Sequence, residues 1–277
     1  MALRINYNFE SVSAQRNLTG TQNSFFRAIE QLSSGLRINK AADDAAGLAV
    51  SEKLKNQVRG LNQAQRNAQD GISLVQTAEG ALSETHNILA RMRELSIQSA
   101  NDTLTNSDRV HIQAEVNQLL SEVDRIAVST TYNKIALLGG AAVRLHVGPN
   151  NDTSLTAGQN EMVVNFVSSF ASGLGVDTAS VSAQSVSNNA ITAFDAAIET
   201  VSTQRGLLGA YQNRLQSTIN SLGVASENTG AANSRIRDAD VAAAVAEMTR
   251  TQILQQATMA VLAQANQSPQ MALQLLK

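Results

Sequence analysis

Asp43 and Asp44 are the only adjacent pair of acidic side chains in the chain, so they come first as a candidate for chemistry. Two neighbouring carboxylates can divide acid and base roles, or share a cation. Either use needs company, and no histidine or metal-binding motif lies near them in sequence. A structural connector accounts for them better. The three histidines, His86, His111 and His146, are isolated, and none falls in an H-E-x-x-H pattern. No glycine run has the spacing of a phosphate-binding or dinucleotide-binding loop. The absence of cysteine removes disulfides, thiol nucleophiles and thiolate metal ligands together. No catalytic, cofactor-binding or metal site is expected, and the protein is read as not an enzyme. With a net charge of −2 and no basic cluster, no nucleic-acid partner is expected either.

The stretch around the acidic pair, QLSSGLRINKAADDAAGLAV (31–50), reads as a joint. A helical stripe closes at Leu32 and Leu36, Gly35 breaks it, and a charged connector leads to a second helix after Asp43–Asp44. Negative charge is favoured at that helix's N-terminus. The alternative is one surface helix with a glycine defect. Around this joint the chain is helical. Leu18, Phe25, Ile29, Leu32 and Leu36 form a sparse heptad over residues 1–40, with Met1–Asn8 frayed in a free monomer. Residues 44–100 carry two adjacent stripes, Leu54–Val58–Leu61–Ala68–Ile72–Val75–Leu82–Leu89 and Leu74–Ala78–Ala81–Ile88–Met92–Leu95. A helix that long, ~80 Å at 1.5 Å per residue, needs partners of similar length.

A turn rich in capping residues at 101–108 leads to a third helix through Ile112, Val116, Leu119, Val123 and Ile126. The short connection makes an antiparallel hairpin. After Gly139–Gly140 the pattern becomes alternating. Val143, Leu145 and Val147, then 162–167, read as two strands outside the helical body. Helix returns over 189–224 and is closed by Gly223. A second flexible joint is expected at Glu227–Ser234, and a last helix at 238–266, ended by Pro269. That last helix carries Val241, Val245, Met248, Leu254, Ala257, Val261 and Ala265. The fold class is mainly α: a long antiparallel helical bundle or coiled coil of N- and C-terminal segments, with a small β-hairpin excursion. Three regions follow: 1–43 plus 235–277 as a terminal coiled coil, 44–140 plus 188–234 as a helical bundle, and 141–187 as a hairpin-and-loop outer region. Two paired terminal helices leave apolar flanks, which marks an association surface.

The stretches LSSGLRIN and DDAAG resemble the N-terminal signature of bacterial flagellin. The resemblance continues through GLNQAQRNAQDGISLVQTAEGAL (60–82), RMRELSIQSAN (91–101) and IQAEVNQLLSEVDRIA (112–127). It resumes at NTGAANSRIRDADVAAAVAEMTRTQILQQA (228–257) and QANQSPQMALQLLK (264–277). Only about 141–187 is left out, so the chain resembles a short form of the family that lacks large outer domains.

The resemblance implies a structural subunit that polymerises into the bacterial flagellar filament for motility. In such proteins disordered termini fold into coiled coils between subunits, which here would bury Phe25, Ile29, Leu32, Leu36, Val245, Leu254 and Val261. It implies an extracellular location reached without a cleaved signal peptide. The bare sequence, with no apolar leader and no membrane-length run, would instead read as cytoplasmic. The implied partners are other copies in a helical homopolymer, a flagellar export chaperone, and the filament cap and hook-junction proteins; no membrane insertion is expected. A host Toll-like receptor is implied by Arg91, Leu95 and Glu115, which match the family's receptor-contact residues. Leu273, Leu275 and Leu276 resemble leucines read by cytosolic host sensors, although Lys277 stands where arginine is usual. Serines between Ser168 and Ser187 are candidates for O-linked glycans through exposure. Two other readings compete: a hook–filament junction protein, and a cytoplasmic signalling coiled coil, which would have no β interruption.

Overall fold

The computed structural model describes residues 7–151 and 158–274, those from 268 onward as backbone only. The described residues form five helices, α1 (Phe9–Ser34), α2 (Ala45–Ser99), α3 (Asn106–Ser129), α4 (Gln184–Arg237) and α5 (Val241–Gln274). Four short strands accompany them, β1 (Thr131–Tyr132), β2 (Ile135–Ala136), β3 (Ala142–His146) and β4 (Glu161–Asn165). The described chain forms two compact units, one of residues up to 56 and from 228, the other Gln57–Glu227.

The first unit is built on α1 and α5. Asn8 caps α1, its side chain accepting the Ser11 N–H at 3.0 Å. Gly35 ends the helix in the left-handed region, φ 70°, which glycine alone adopts without steric cost, and its N–H donates to Gln31 O at 2.9 Å. Asp240 caps α5, accepting from the N–H groups of Ala242 and Ala243 at 2.9 and 3.2 Å. The two helices run antiparallel. At one end Asn8 donates to Ala265 O at 2.8 Å. At the other, Leu36 and Asp238 form an antiparallel bridge, and Ala239 N–H donates to Gly35 O at 2.9 Å.

The seam between them is heptad-spaced. On α1 it runs through Ala14, Leu18, Thr21, Phe25, Ala28 and Leu32; on α5 through Ala244, Met248, Thr251, Gln255, Thr258, Leu262 and Ala265. Its fully buried positions are Ala14, Ala28, Ala244, Thr251 and Ala265. Small residues let the helix axes approach closely. The stripe expected from sequence differs in part. Ala28 takes the place given to Ile29, and Val241, Val245, Leu254, Ala257 and Val261 lie off the seam.

The second unit holds the large core. The α2 face repeats at three and four residues through Leu61, Ala64, Ala68, Val75, Ala78, Leu82, Leu89 and Met92, all buried. Ile112, Val116, Val123 and Ala127 of α3 meet it, with Phe194, Ala197, Val201, Leu208 and Leu215 of α4. The α2–α3 turn is closed by a reciprocal capping box between Thr105 and Asp108. Buried Arg109 donates to Ser99 O, Asn101 O and Asn106 Oδ1.

The β3–β4 hairpin pairs Val143 with Val164 and Leu145 with Met162. It does not lie outside the helical body. Val147, Met162, Val164 and Phe166 belong to the main core, as do Ala171, Leu174, Val176 and Val181 from the following loop. At Gly71 of α2 a Cβ would sit 2.6 Å from Leu145 Cδ1, so the hairpin rests where the helix has no side chain. The β1–β2 pair was not expected. Its two-residue turn, Asn133–Lys134 at φ 47° and 66°, is the tight hairpin type that matches strand twist.

Two expected helix ends are corrected. α4 continues through Gly223 and across Glu227–Ser234, where a flexible joint was expected. Glycine costs ~1 kcal/mol relative to alanine in a helix. Packing on both sides of Gly223 offsets it: Leu222 and Ala225 lie against Leu61 and Ala64, and Ser226 Oγ donates to Asn62 Oδ1 at 2.9 Å. The second joint is confined to 238–240. α5 likewise runs through Pro269 to Gln274, where an end was expected.

Candidate functional site

The apolar side chains that the first unit leaves in solvent form its most distinctive surface. Phe9, Phe26, Ile29, Val241, Val245, Ile253, Leu254, Met259 and Val261 are all exposed, Phe26 to 63% and Val261 to 58%. Scattered exposed apolar residues are ordinary; a set this large on two paired helices is an association surface. α5 sharpens the point. Glu247 and Arg250 are its only described charged residues, they pair with each other, and none follows from Thr251 to Gln274. A helix without a charged face is built to be surrounded.

Of the seven residues expected at a subunit interface, Ile29, Val245, Leu254 and Val261 are exposed. Phe25 and Leu32 are half-buried on the α1–α5 seam, and Leu36 is half-buried in the bridge to Asp238. Phe26, Ile253 and Met259, which the heptad reading passed over, belong to the same exposed set. Their signal was present in the sequence as apolar residues outside the principal stripe.

The acidic pair is structural, as its surroundings predict. Asp43 accepts the N–H groups of Asn39 and Lys40 at 3.2 and 3.0 Å. The Lys40 N–H above all holds its carboxyl below the usual carboxylate range, with Arg27 adding attraction. Asp44 caps α2 by accepting the Gly47 N–H at 2.8 Å. Arg37 reaches across the joint and donates to Ile236 O through Nε and an NH2 nitrogen at 3.1 and 2.6 Å. Arg237 pairs with Glu52. The two crossings of the chain therefore hold one another.

Arg91 and Glu115 are brought together, the guanidinium donating to one carboxylate oxygen at 3.0 and 3.1 Å, with Glu94 as a second partner. Both are about half exposed. Leu95 is elsewhere: it is 2% exposed and part of the main core. Leu273 falls in α5 as backbone only, and Leu275 and Leu276 lie outside the described residues, as does most of the Met1–Asn8 segment. The serine run 168–187 is not uniformly exposed, since Ser169 and Ser187 are buried. Among the described residues no cluster of three metal-ligating side chains occurs, and no helix is long and apolar enough to cross a membrane.

Fold and surface define a class of protein: a subunit of long antiparallel helices that presents a paired, apolar set of terminal helices. Residues 5–142 match the bacterial flagellin N-terminal helical region and residues 191–276 the bacterial flagellin C-terminal helical region, and the chain belongs to the bacterial flagellin family. It is 48% identical over 275 residues to a flagellin of Halalkalibacterium halodurans, covering 99% of both chains. It is 45% identical over 291 residues to the flagellar filament 33 kDa core protein of Treponema phagedenis, again covering 99% of both. A solved Vibrio parahaemolyticus protein, described provisionally as flagellar hook-associated, shares the fold alone: TM-score 0.58, 14% identity, 71% of this chain and 100% of that one. The chain is thus a structural subunit of the extracellular flagellar filament, self-polymerising, and not an enzyme.

Proposed function

We propose that the subunit enters the filament by coupled folding and docking of its terminal regions, 1–43 and 235–277. In this reading α1 and α5 form the filament core, 44–140 with 188–234 form a surrounding bundle, and 141–187, whose inner side chains pack into that bundle, present their remaining surface outward. The observation that carries it is α5, uncharged over its last 24 residues and leaving Val241, Val245, Ile253, Leu254, Met259 and Val261 in solvent. Alone, the pair buries mostly alanines; between copies, Phe25, Phe26, Ile29, Val245, Leu254 and Val261 find cover. The ordering cost opposes spontaneous nucleation, and a growing tip offsets it. The same reading has the chain exported unfolded and without signal cleavage, escorted by an export chaperone, and incorporated between hook-junction and cap proteins.

The test is seeded assembly. Depolymerised protein is added to short fragments of its own filament and followed by light scattering and electron microscopy. Long filaments are expected, and none from chains lacking 1–40 or 238–277. Short rings in place of filaments would support a hook–filament junction role instead. The signalling coiled coil is disfavoured by the β3–β4 hairpin, which is built into the core.

Recognition of the monomer by a host Toll-like receptor is part of the same proposal. Arg91 and Glu115 offer an exposed, paired contact, while Leu95 would act from the core by positioning α2. A triple Arg91→Ala, Leu95→Ala, Glu115→Ala variant should lose receptor signalling by released monomer; full signalling would reject the assignment. Contact of Leu273, Leu275 and Leu276 with cytosolic host sensors is proposed on resemblance, and alanine replacement of all three should abolish that response.

A further inference from the structure

Met259 stands apart in the chemistry of this chain. The sequence has no cysteine and no tryptophan, so the thioether sulfurs are its groups most open to oxidation by peroxide. Among the methionines whose side chains are described, Met92 is fully buried and Met162 is 6% exposed, both in the core of the second unit. Met248 is half-buried on the α1–α5 seam. Met259 is 53% exposed, so its side chain meets solvent without any opening of the structure.

The setting on α5 makes its oxidation state matter. Ile253, Leu254 and Val261 are exposed on the same helix, and no charged side chain lies between Thr251 and Gln274. The hydroxyl next to it in sequence, Thr258 Oγ, already donates to Leu254 O at 2.6 Å. Oxidation to the sulfoxide replaces a flexible apolar group by a polar, chiral S=O acceptor. In water that oxygen stays hydrated. Under a cover of apolar side chains it loses its water, with no neighbouring hydroxyl free to pair with it.

We propose that Met259 is an oxidation site through which peroxide blocks, and a thiol reductant restores, addition of the subunit to the filament. This rests on the filament reading above and adds chemical control to it. In the forward step a lone pair on Met259 Sδ attacks one peroxide oxygen. The O–O bond breaks, an S–O bond forms, sulfur gives up two electrons, and water leaves. In the reverse step, catalysed by methionine sulfoxide reductases, two thiols supply two electrons and join as a disulfide, and the oxygen leaves as water. Leucine at 259 keeps the apolar volume and removes the sulfur.

The experiment treats full-length depolymerised subunits with dilute hydrogen peroxide, removes the excess with catalase, and divides the sample. Peptide mass spectrometry reads the oxygen gained at each methionine. Light scattering follows elongation of untreated wild-type seeds. Met259 should gain oxygen many-fold faster than Met92 and Met162, and wild-type elongation should slow several-fold as it does. Met259→Leu, compared with its own untreated rate, should lose little, whereas Met248→Leu should lose as much as wild type. Reductases acting on both sulfoxide epimers, with a dithiol, should restore the wild-type rate. Equal proportional losses in wild type and Met259→Leu would overturn the proposal, as would oxidation of Met92 or Met162 at the rate of Met259. Resistance appearing in Met248→Leu instead would place the effect on the seam and reject Met259, and a loss that the reductases leave in place would reject the thioether. The oxygen map is read on the free subunit and judges the site by itself. If untreated subunits add nothing to seeds, it is the filament reading that fails.

Discussion

Asp44 and Gly47 show how tightly the joint is specified at the level of single residues. The Asp44 carboxylate accepts the Gly47 N–H, and a Cβ on Gly47 would press into that same carboxylate and sit 2.9 Å from Ile38 Cδ1. Ile38 is 1% exposed and cannot retreat. Gly47→Ala would gain ~1 kcal/mol of helix propensity and lose the cap together with an overpacking cost of about 1–3 kcal/mol. The net should be a lower temperature of filament dissociation, measured by scanning calorimetry. Asp43 adds a pH dependence of known sign. Its carboxyl is held below the usual range in the folded state, so its contribution is present above the ordinary carboxylate pKa and is lost as pH falls through the lowered one. The gap in dissociation temperature between wild type and Asp43→Asn should therefore be widest near neutral pH and close in acid. A gap that is constant with pH would mean that the carboxylate charge does nothing there.

The helices show which features a sequence reveals and which it hides. The ends of α1 and α2 and the 101–108 turn were legible because each has a local chemical cause: Gly35 in the left-handed region, Asp44 as a cap, Thr105 with Asp108 as a capping box. The far end of α4 was not, because Gly223 stays helical only through what lies opposite it, Leu61, Ala64 and Asn62, some 160 residues away in sequence. The seam of the α1–α5 pair was misplaced for a more instructive reason. A stripe read from sequence picks out branched apolar residues at heptad spacing, here Val241, Val245, Leu254 and Val261, whereas the buried positions of the chain's own seam are small, four alanines and Thr251. Those branched residues are consistent instead with contacts to other copies. Leu254→Glu should therefore leave the melting of the second unit unchanged in monomer and abolish elongation on seeds. Thr105→Ala, at a cap inside the second unit, should do the opposite: lower monomer stability by about 1 kcal/mol and still assemble.

Across the whole molecule the two units differ in what they bury. The second encloses Phe194, Leu82, Leu89, Met92, Leu208 and Leu215, each worth about 1.5–3 kcal/mol when removed from water. The described part of the first buries Ile38 and otherwise only small side chains, four alanines with Ser51 and Thr251, whose transfer is worth a fraction of that. Ordering either backbone costs ~1–2 kcal/mol per residue. A unit with a large core can meet that cost alone, and one seamed with alanine cannot. Stability should thus be divided along the chain in the monomer and made uniform by assembly. Hydrogen exchange read by mass spectrometry tests this directly. In depolymerised protein, amides of Phe9–Ser34 and Val241–Gln274 should exchange at rates close to those of an open chain, while 61–99 and 190–222 are protected. In filaments the terminal helices should become at least as protected as the core, because the side chains they now leave in water, Phe26, Ile253, Leu254 and Val261 among them, would be covered by neighbours. Strong protection of α5 in the monomer would show instead that the alanine seam suffices, and that subunits add to the filament as preformed rods.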